Sequence, residues 1–326
     1  MSEINGGKHA FIEEHNSMIV SVVYGGTPEE KGPSEKNAKD IAKALENRGH
    51  EVHLLQIGKD IINAILSVKT EVVYLCVQGK GYGDGTFQAI LEMQEIPFTG
   101  SHMRAACLIN DKILSKLVFD RYGIRTPKWD ILTKKQFEKG DYPYEDFGYP
   151  FVAKAPTQGG SFGIELIRSR EDIPRIGSVF KYDDPILLEK FIPGGFYTVG
   201  IYKSKKSLVS LPVVEGLDLD KQDNAGDGLI TFTGNYGICE SRLNQNVTEE
   251  IKHLAMEVYH ATGAKDLCRV DFMVSEEDGK PYVLEINAVP GLKRRSLMPK
   301  AAELAGIVYE DMIEDILYAA LDNNAE

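Results

Sequence analysis

Polar side chains recur at alternate positions in two neighbouring segments towards the C-terminal end of the chain. Arg269 and Asp271 alternate with apolar residues in the first segment, and Glu285 and Asn287 do so in the second. Such alternation predicts two β-strands that each carry their polar side chains on one face. The intervening sequence SEEDGK favours a hairpin turn, which brings Asp271, Glu285 and Asn287 together. Three oxygen donors at one place suit Mg²⁺ or Mn²⁺, which bind a few protein oxygens together with phosphate oxygens.

A hairpin with an ordinary solvated, charged face is the alternative interpretation. The sequence after Asn287 is AVPG, a non-repetitive turn that a plain hairpin does not need. We therefore favour a metal site that serves a nucleotide.

A glycine-rich segment follows a strand-like segment in the middle of the chain. The sequence FVAK at residues 151–154 leads into TQGGSFG at residues 157–163. Glycine lets backbone N–H groups approach a phosphate closely, and Lys154 would add a point charge. An ordinary turn between two strands is the alternative. The segment lacks the GKS or GKT ending of a P-loop, which argues against a P-loop NTPase.

Two further segments fit a nucleotide site. The sequence ILLEKFI at residues 186–192 is apolar apart from one charged pair, and an adenine slot needs apolar walls with strand backbone groups. Lys112 lies at the start of a helix predicted over residues 110–122, and it is either a phosphate-binding cation or a surface lysine.

The segments before residue 100 alternate between strand and helix patterns. Apolar, β-branched runs predict strands at residues 18–24, 51–56 and 72–77. Helical periodicity over residues 34–48 predicts a helix that begins at an N-cap serine, Ser34. This rhythm is typical of a doubly wound α/β unit, in which ligands bind beyond the carboxyl ends of the strands. The turns at residues 25–30 and 78–86 follow two of these strands, and each is either a ligand loop or a plain turn.

Beyond Thr126 the strand patterns are shorter and resemble hairpins, which indicates a mixed α+β region. The predicted strands are residues 151–154, 164–168, 186–191, 198–202, 207–214, 268–274 and 281–286. A polar segment rich in glycine and aspartate, residues 217–237, predicts a loop. Helical patterns follow at residues 248–261, 296–305 and 309–321.

The composition excludes several classes of function. A chain of 326 residues is long enough for two or three compact units. Its formal net charge of −12 argues against nucleic acid as a partner, because phosphate backbones bind basic faces. No apolar run approaches the ~20 residues of a membrane span. Residues 1–17 are polar, which predicts an N-terminal extension and not a signal peptide.

The cysteines have no metal-binding spacing: Cys76, Cys107, Cys239 and Cys268. All have apolar neighbours, so we predict buried free thiols in a reducing, cytoplasmic compartment. In a chain this acidic, the cationic sequence KRR at residues 293–295 is unusual, although a solvated basic turn is the alternative.

Taken in order, the motifs of the chain resemble the ATP-grasp superfamily, and most closely the D-alanine–D-alanine ligases. The motifs span about residues 18–321 and are YGGTPEE, GDGTFQ, PFTGS with NDK, FVAK with GGSFG, LLEKFI, CRVDFM, and LEINAVPG with SLMP. The last two are specific at this spacing, whereas the glycine-rich turns are not. The resemblance implies an ATP-grasp fold of the α/β and α+β classes. Its expected parts are an extension (residues 1–17), an N-terminal doubly wound α/β domain (18–105), a central ATP-grasp domain (106–195) and a C-terminal ATP-grasp domain with the metal site (196–326).

The resemblance also implies an activity and residue roles. Similar enzymes use ATP and Mg²⁺ or Mn²⁺ to convert one amino acid into an acyl phosphate, which the amine of a second amino acid attacks. The implied nucleotide contacts are Lys112, Lys154, Gly160, Ser161, Glu189, Lys190 and Ile192, and the implied metal ligands are Asp271, Glu285 and Asn287. Arg269 and the backbone of Gly291 would hold the reacting carboxylate, Ser296 the acceptor's carboxylate, and Glu30 the first amino acid's ammonium. The expected partners are small-molecule amino acids, with no nucleic acid or membrane, and the family often forms homodimers.

Several positions depart from the family pattern. Gln78 stands where a histidine is usual, and Gly160 with Ser161 replaces a Ser-Ser pair. Phe196 and Tyr197 stand where an acidic ribose contact is expected. The segment NAGDGLITFTG lacks the Lys-Tyr pair of the usual lid loop, and KRR replaces small polar residues before Ser296.

These departures leave three functions open. The first is a ligase that makes D-alanyl-D-alanine or a close D-amino-acid dipeptide. The second is an ATP-grasp ligase for another amino-acid pair, in which residues 293–295, Arg294 among them, face an anionic acceptor. The third is a non-catalytic nucleotide-binding relative, which the altered lid and ribose contacts would suit.

Overall fold

The first three strands form a parallel sheet in the order β2–β1–β3. The computed structural model describes residues 17–141, 148–160, 162–218 and 236–322. The elements of the first part are β1 (Ile19–Gly26), α1 (Pro28–Asn47), β2 (Glu51–Gln56), α2 (Ile61–Ser67), β3 (Val72–Gln78) and α3 (Thr86–Met93). The apolar runs are the buried strands β1 and β3, and the doubly wound α/β prediction is confirmed.

Helix α1 begins earlier than predicted. Its first residue is Pro28, so Ser34 lies inside the helix and is not an N-cap. The Ser34 hydroxyl is buried, accepts a hydrogen bond from Gly25 N (2.8 Å) and donates one to Cys76 O (2.6 Å). The first turns were not predicted because Pro33 lies inside them, whereas proline is usual at the start of a helix. The longer helix carries Glu30 on its first turn, close to the ends of β1 and β3.

The helix predicted over residues 110–122 is α5 (Lys112–Tyr122), and a helix that was not predicted, α4 (Met103–Asn110), directly precedes it. Asp111 separates them, because its carboxylate accepts hydrogen bonds from Ile113 N (2.8 Å) and Leu114 N (3.2 Å) and so caps α5. Gly123, in the left-handed conformation, ends α5. Lys112 is therefore the first residue of a capped helix.

Two antiparallel sheets follow. The second sheet has the order β4–β7–β5–β6 and contains β4 (Trp129–Leu132), β5 (Phe151–Lys154), β6 (Ile164–Ile167) and β7 (Ile186–Lys190). Helix α6 (Lys134–Lys139) and a 3₁₀ helix (Arg170–Lys181) cover it. The third sheet contains β8 (Gly194–Lys203), β9 (Leu208–Ser210), β10 (Val214–Asp218), β11 (Tyr236–Glu240), β12 (Leu267–Ser275) and β13 (Pro281–Asn287). Its path is β11–β10–β8–β12–β13, with β9 on β8.

The helices of the last part are α7 (Gln245–Thr262), α8 (Leu297–Leu304) and α9 (Tyr309–Asp322). Helix α7 packs on the third sheet, whereas α8 and α9 share a hydrophobic core with α1 and the first sheet. The strand predicted at residues 207–214 is divided between β9 and β10. Most of the predicted loop at residues 217–237, including the lid segment, lies outside the described residues.

Helices that could cross a membrane are absent from the described part of the chain. The prediction for the cysteines holds at Cys76 and Cys268, which are buried and free. It is wrong for Cys107, which is exposed, and for Cys239, which is partly exposed. Cys107 lies on the outer face of α4, because Ala105, Ala106 and Ile109 occupy the face that packs inward.

Candidate active site

Strands β12 and β13 form the predicted hairpin. Their register pairs Arg269 with Asn287 and Asp271 with Glu285, so all four side chains lie on one face of the sheet. The register shifts directly after Asp271, a bulge of the kind that re-aims side chains beside functional sites.

The carboxylate of Asp271 is the centre of this face. Arg269 donates to it through two parallel hydrogen bonds, Nε to Oδ1 (2.8 Å) and Nη2 to Oδ2 (2.7 Å). Thr198 Oγ1 donates to Oδ1 (2.6 Å), and Asn287 Nδ2 donates to Oδ2 (3.0 Å). Asp271 is only 2% exposed, and this bidentate pairing orients both it and the guanidinium of Arg269.

Glu285 lies opposite Asp271 and faces cations. Burial raises the pKa of its carboxyl, but Lys112, Lys154 and Arg269 outweigh burial and hold that pKa below its usual value. Lys112 Nζ is 3.2 Å from Glu285 Oε2, and it also donates to Gln158 O (2.7 Å) in the glycine-rich loop. Glu285 is therefore ionised at neutral pH.

The donor set on this face fits a hard divalent cation. Two carboxylates, Asp271 and Glu285, face each other across paired strands. Asn287 uses its amide nitrogen on Asp271, which leaves its carbonyl oxygen as a ligand atom. Among the described residues there is no group of three histidine, cysteine or acidic side chains that could hold a metal. A set of two carboxylates and one amide suits Mg²⁺ with substrate phosphates, since Mg²⁺ keeps few protein ligands.

A cavity of about 830 Å³ opens beside this face, between the second and third sheets. The residues proposed for the nucleotide and metal that line it are Lys112, Lys154, Gly160, Glu189, Lys190, Ile192, Asp271 and Glu285. Its apolar walls are Val152, Ile164, Phe191, Phe196, Met273 and Leu284. Ser161, the remaining residue proposed for the nucleotide, lies outside the described residues. A largely apolar slot with cations at one end suits a nucleotide.

Sequence reasoning missed a buried lysine behind this cavity. Lys154 Nζ is 3.0 Å from Glu189 Oε2, and Lys116 Nζ is 3.5 Å from Glu189 Oε1. Lys116 is fully buried and lies one helical turn after Lys112 on α5. A signal was present, because Lys116 sits on the apolar face of the helix with Ile113 and Phe119.

A second cavity, of about 1310 Å³, adjoins the first. The residues proposed for the amino acids line it: Glu30, Arg269, Gly291 and Ser296, with Asn287 from the metal set. The two cavities share Lys112, Gln158, Gly159, Gly160 and Glu285. Groups bound in the two cavities would therefore meet beside Lys112 and Glu285.

Two glycines, Gly79 and Gly159, pack directly against the Glu30 carboxylate. A Cβ added at Gly79 would lie 2.1 Å from Glu30 Oε2, and one at Gly159 would lie 2.7 Å from Glu30 Oε1. The neighbouring Gln78 lines the second cavity, and its Nε2 donates a hydrogen bond to the backbone oxygen of Val289 (3.1 Å), which also lines it. The turn after β3 therefore lies against the second cavity.

Substitution Gly79→Ala is expected to displace Glu30 and to weaken binding of the first amino acid. Backbone strain adds a stability loss of about 1–2 kcal/mol, because φ of Gly79 is +82°. Gly81→Ala is a matched control, since φ of Gly81 is +80° but no atom lies within 4 Å of its added Cβ. Thermal unfolding should shift similarly in both variants, and only Gly79→Ala should raise KM for the amino acid. An equal rise in KM for both would contradict the role of Glu30.

The basic sequence at residues 293–295 does not act as one surface. Lys293 lines the second cavity and has no ion-pair partner among the described residues. Arg294 points elsewhere: its guanidinium pairs with Glu310 and lies 4.2 Å from the ring centre of Tyr309. The prediction that Arg294 faces the acceptor is wrong, because carboxylate and ring both lie on α9 and hold the side chain outside the cavity. Arg295 is exposed.

Comparisons with known proteins identify the family of the chain. The family model described as "D-ala D-ala ligase C-terminus" matches residues 118–318. The D-alanine–D-alanine ligase of Desulforamulus reducens is 32% identical over 318 residues, covering 94% of this chain and 99% of that protein. The D-alanine–D-alanine ligase of Geobacter sulfurreducens is 31% identical over 312 residues, covering 94% of this chain and 96% of that protein.

Solved structures show the same relationship. The D-alanine–D-alanine ligase of Bacillus anthracis, complexed with ATP, superposes with a TM-score of 0.81 at 26% identity, covering 95% of this chain and 99% of that one. The enzyme of Coxiella burnetii, at 20% identity and a TM-score of 0.80, supports the fold alone and covers 95% of each chain. The family model matches more than half of this chain, and the solved structures share its fold. The chain therefore has the ATP-grasp fold and belongs to the D-alanine–D-alanine ligase family of ATP-dependent ligases.

Proposed function

We propose that the protein joins two molecules of D-alanine at the expense of ATP. The γ-phosphoryl group passes to the carboxylate of the first molecule, and ADP leaves. The amine of the second molecule then attacks the acyl phosphate, which releases D-alanyl-D-alanine, phosphate and a proton. The observation that carries the proposal is the shared wall of the two cavities, where Lys112, the glycine-rich loop and Glu285 meet. Such a dipeptide would serve peptidoglycan synthesis.

Lys112 and Lys154 are proposed to hold the phosphates, with Gly160 and Ser161 offering loop N–H groups. Lysine suits this role as a point charge, and glycine allows close backbone approach. Glu189, Lys190 and Ile192 are proposed to line the adenine end of the slot. Asp271, Glu285 and Asn287 would hold a Mg²⁺ or Mn²⁺ ion, which when bound neutralises charge on the transferred phosphoryl group.

Arg269 and the Gly291 backbone are proposed to hold the reacting carboxylate and to stabilise the oxyanion that forms on attack. Glu30 would hold the ammonium of the first amino acid, and Ser296 the carboxylate of the acceptor. Nothing in this scheme requires a nucleophilic side chain, because the acyl phosphate is the activated group. We also propose that residues 18–105, 106–195 and 196–326 act as three domains, which is supported by the presence of one sheet in each range, although β8 of the third sheet begins two residues earlier, at Gly194.

The test is a screen of amino-acid pairs that records phosphate release and identifies the product by mass. We expect the highest turnover with D-alanine alone. A higher turnover with an anionic acceptor would favour the second function, and nucleotide binding without any product would favour a non-catalytic relative.

Substitution Lys293→Met is expected to raise KM for the acceptor amino acid about tenfold, because a charge-assisted contact with its carboxylate is lost. Arg294→Met is the matched control, since that side chain pairs with Glu310 outside the cavity. It should leave both KM values close to wild type. If the two variants behave alike, Lys293 does not contact the acceptor.

A cytoplasmic location and a homodimer belong to the proposal as well. ATP is supplied in the cytoplasm, and the family that the chain resembles often forms homodimers. Analytical ultracentrifugation across a range of protein concentrations tests the dimer, and a monomer at every concentration would contradict it.

A further inference from the structure

Three charged side chains form a buried chain behind the nucleotide cavity. The Glu189 carboxylate is 2% exposed and lies between two ammonium groups, Lys154 at 3.0 Å from Oε2 and Lys116 at 3.5 Å from Oε1. Lys154 and Glu189 line the cavity, whereas Lys116 is absent from its walls and is 0% exposed. Lys116 therefore does not contact the space of the cavity, and Glu189 lies between it and Lys154.

Two linked hydrogen bonds hold Lys116 in position. Its ammonium donates a hydrogen bond to Thr126 Oγ1. The Thr126 hydroxyl in turn donates to Val283 O (2.7 Å), two residues before Glu285 on β13. Burial lowers the pKa of Lys116 to about 8, and Glu189 opposes that shift while Lys154 adds to it. The lysine thus occupies a costly position and is held there by fixed partners.

Charge balance explains what the second lysine does. A buried carboxylate needs a counter-ion, because an unpaired buried charge is strongly unfavourable. If Lys154 were the sole counter-ion of Glu189, binding a phosphate would require Lys154 to leave a buried charge unpaired. With Lys116 on the other oxygen, Glu189 keeps a partner when Lys154 turns to the phosphate.

We propose that Lys116 is a positioning residue of the nucleotide site, which holds the Glu189 carboxylate in place as its second counter-ion and thereby makes Lys154 available to the nucleotide. This inference rests on the proposed function, since it takes the first cavity as the ATP site. It assigns to Lys116 no contact with ATP.

The test is a double-mutant cycle on ATP affinity, measured by calorimetry on the full chain well below its unfolding temperature. Lys116→Met should weaken ATP binding about tenfold or more, as expected for a charge-assisted contact withdrawn from the phosphate. In the Glu189→Gln background the same substitution should change ATP affinity less than about twofold. Without the Glu189 carboxylate, no buried anion competes with the phosphate for Lys154.

A lysine that only stabilises the fold would lower the unfolding temperature without this coupling. Wild-type ATP affinity in folded Lys116→Met, or an equal loss in both backgrounds, would overturn the inference. If Lys116→Met does not fold, Thr126→Val keeps all three charges but removes the hydroxyl that fixes the ammonium. It should weaken ATP binding, and unchanged binding would contradict the inference. Absence of ATP binding by the wild-type protein would instead refute the proposed function.

Discussion

Glu285→Gln is expected to lower kcat by about 10²–10³-fold while the fold persists. The carboxylate pairs with Lys112 at 3.2 Å and lies opposite Asp271 in the strand register. A neutral amide keeps the shape but loses the charge that binds a divalent cation. Loss of several kcal/mol of transition-state stabilisation corresponds to that rate change. The side chain is 32% exposed, so we expect little change in the unfolding temperature.

The measurements are single-turnover rates and the Mg²⁺ concentration for half-maximal rate, which should rise. Glu276→Gln is a matched control, because Glu276 is exposed in the turn of the same hairpin and lines neither cavity. Near-normal turnover in Glu285→Gln would refute the assignment of the metal site.

Arg269→Lys is expected to lower kcat about 10²-fold or more, with a smaller effect on KM for ATP. Arg269 is held by a two-bond fork to Asp271 (2.8 and 2.7 Å), and lysine cannot reproduce a planar fork. A misplaced cation would stabilise the oxyanion poorly, and the loss of one such donor costs about 10²–10³ in rate.

Arg125→Lys is the control for this substitution. Arg125 also bridges to a carboxylate, Glu250 at 2.5 Å, but it lines neither cavity. Its kcat should stay close to wild type. A similar fall in kcat in both variants, or no fall in Arg269→Lys, would show that Arg269 does not act in the reaction.

Local patterns were enough to predict the hairpin and its four polar residues. Arg269 and Asp271 are two positions apart, as are Glu285 and Asn287, and period-two alternation puts each pair on one face whatever the rest of the fold does. The buried strands β1 and β3 of the first sheet were predicted from another local signal, their nearly continuous apolar runs. The start of α1 at Pro28 was missed, because Pro33 lies inside the helix, although Thr27 and Pro28 fit an N-cap and a first helical position.

Local patterns did not predict which distant residues contact each other at the two cavities. Glu30 meets Gly79 and Gly159, and Lys116 meets Glu189, across long stretches of sequence. Neither separation leaves a periodic signal, because such contacts follow from how two sheets and α5 pack around the cavities. The same packing turned Arg294 outwards to Glu310 and left Lys293 beside the cavity, although they are adjacent in sequence. Backbone periodicity therefore determined which groups share a face, and long-range packing determined which charges meet.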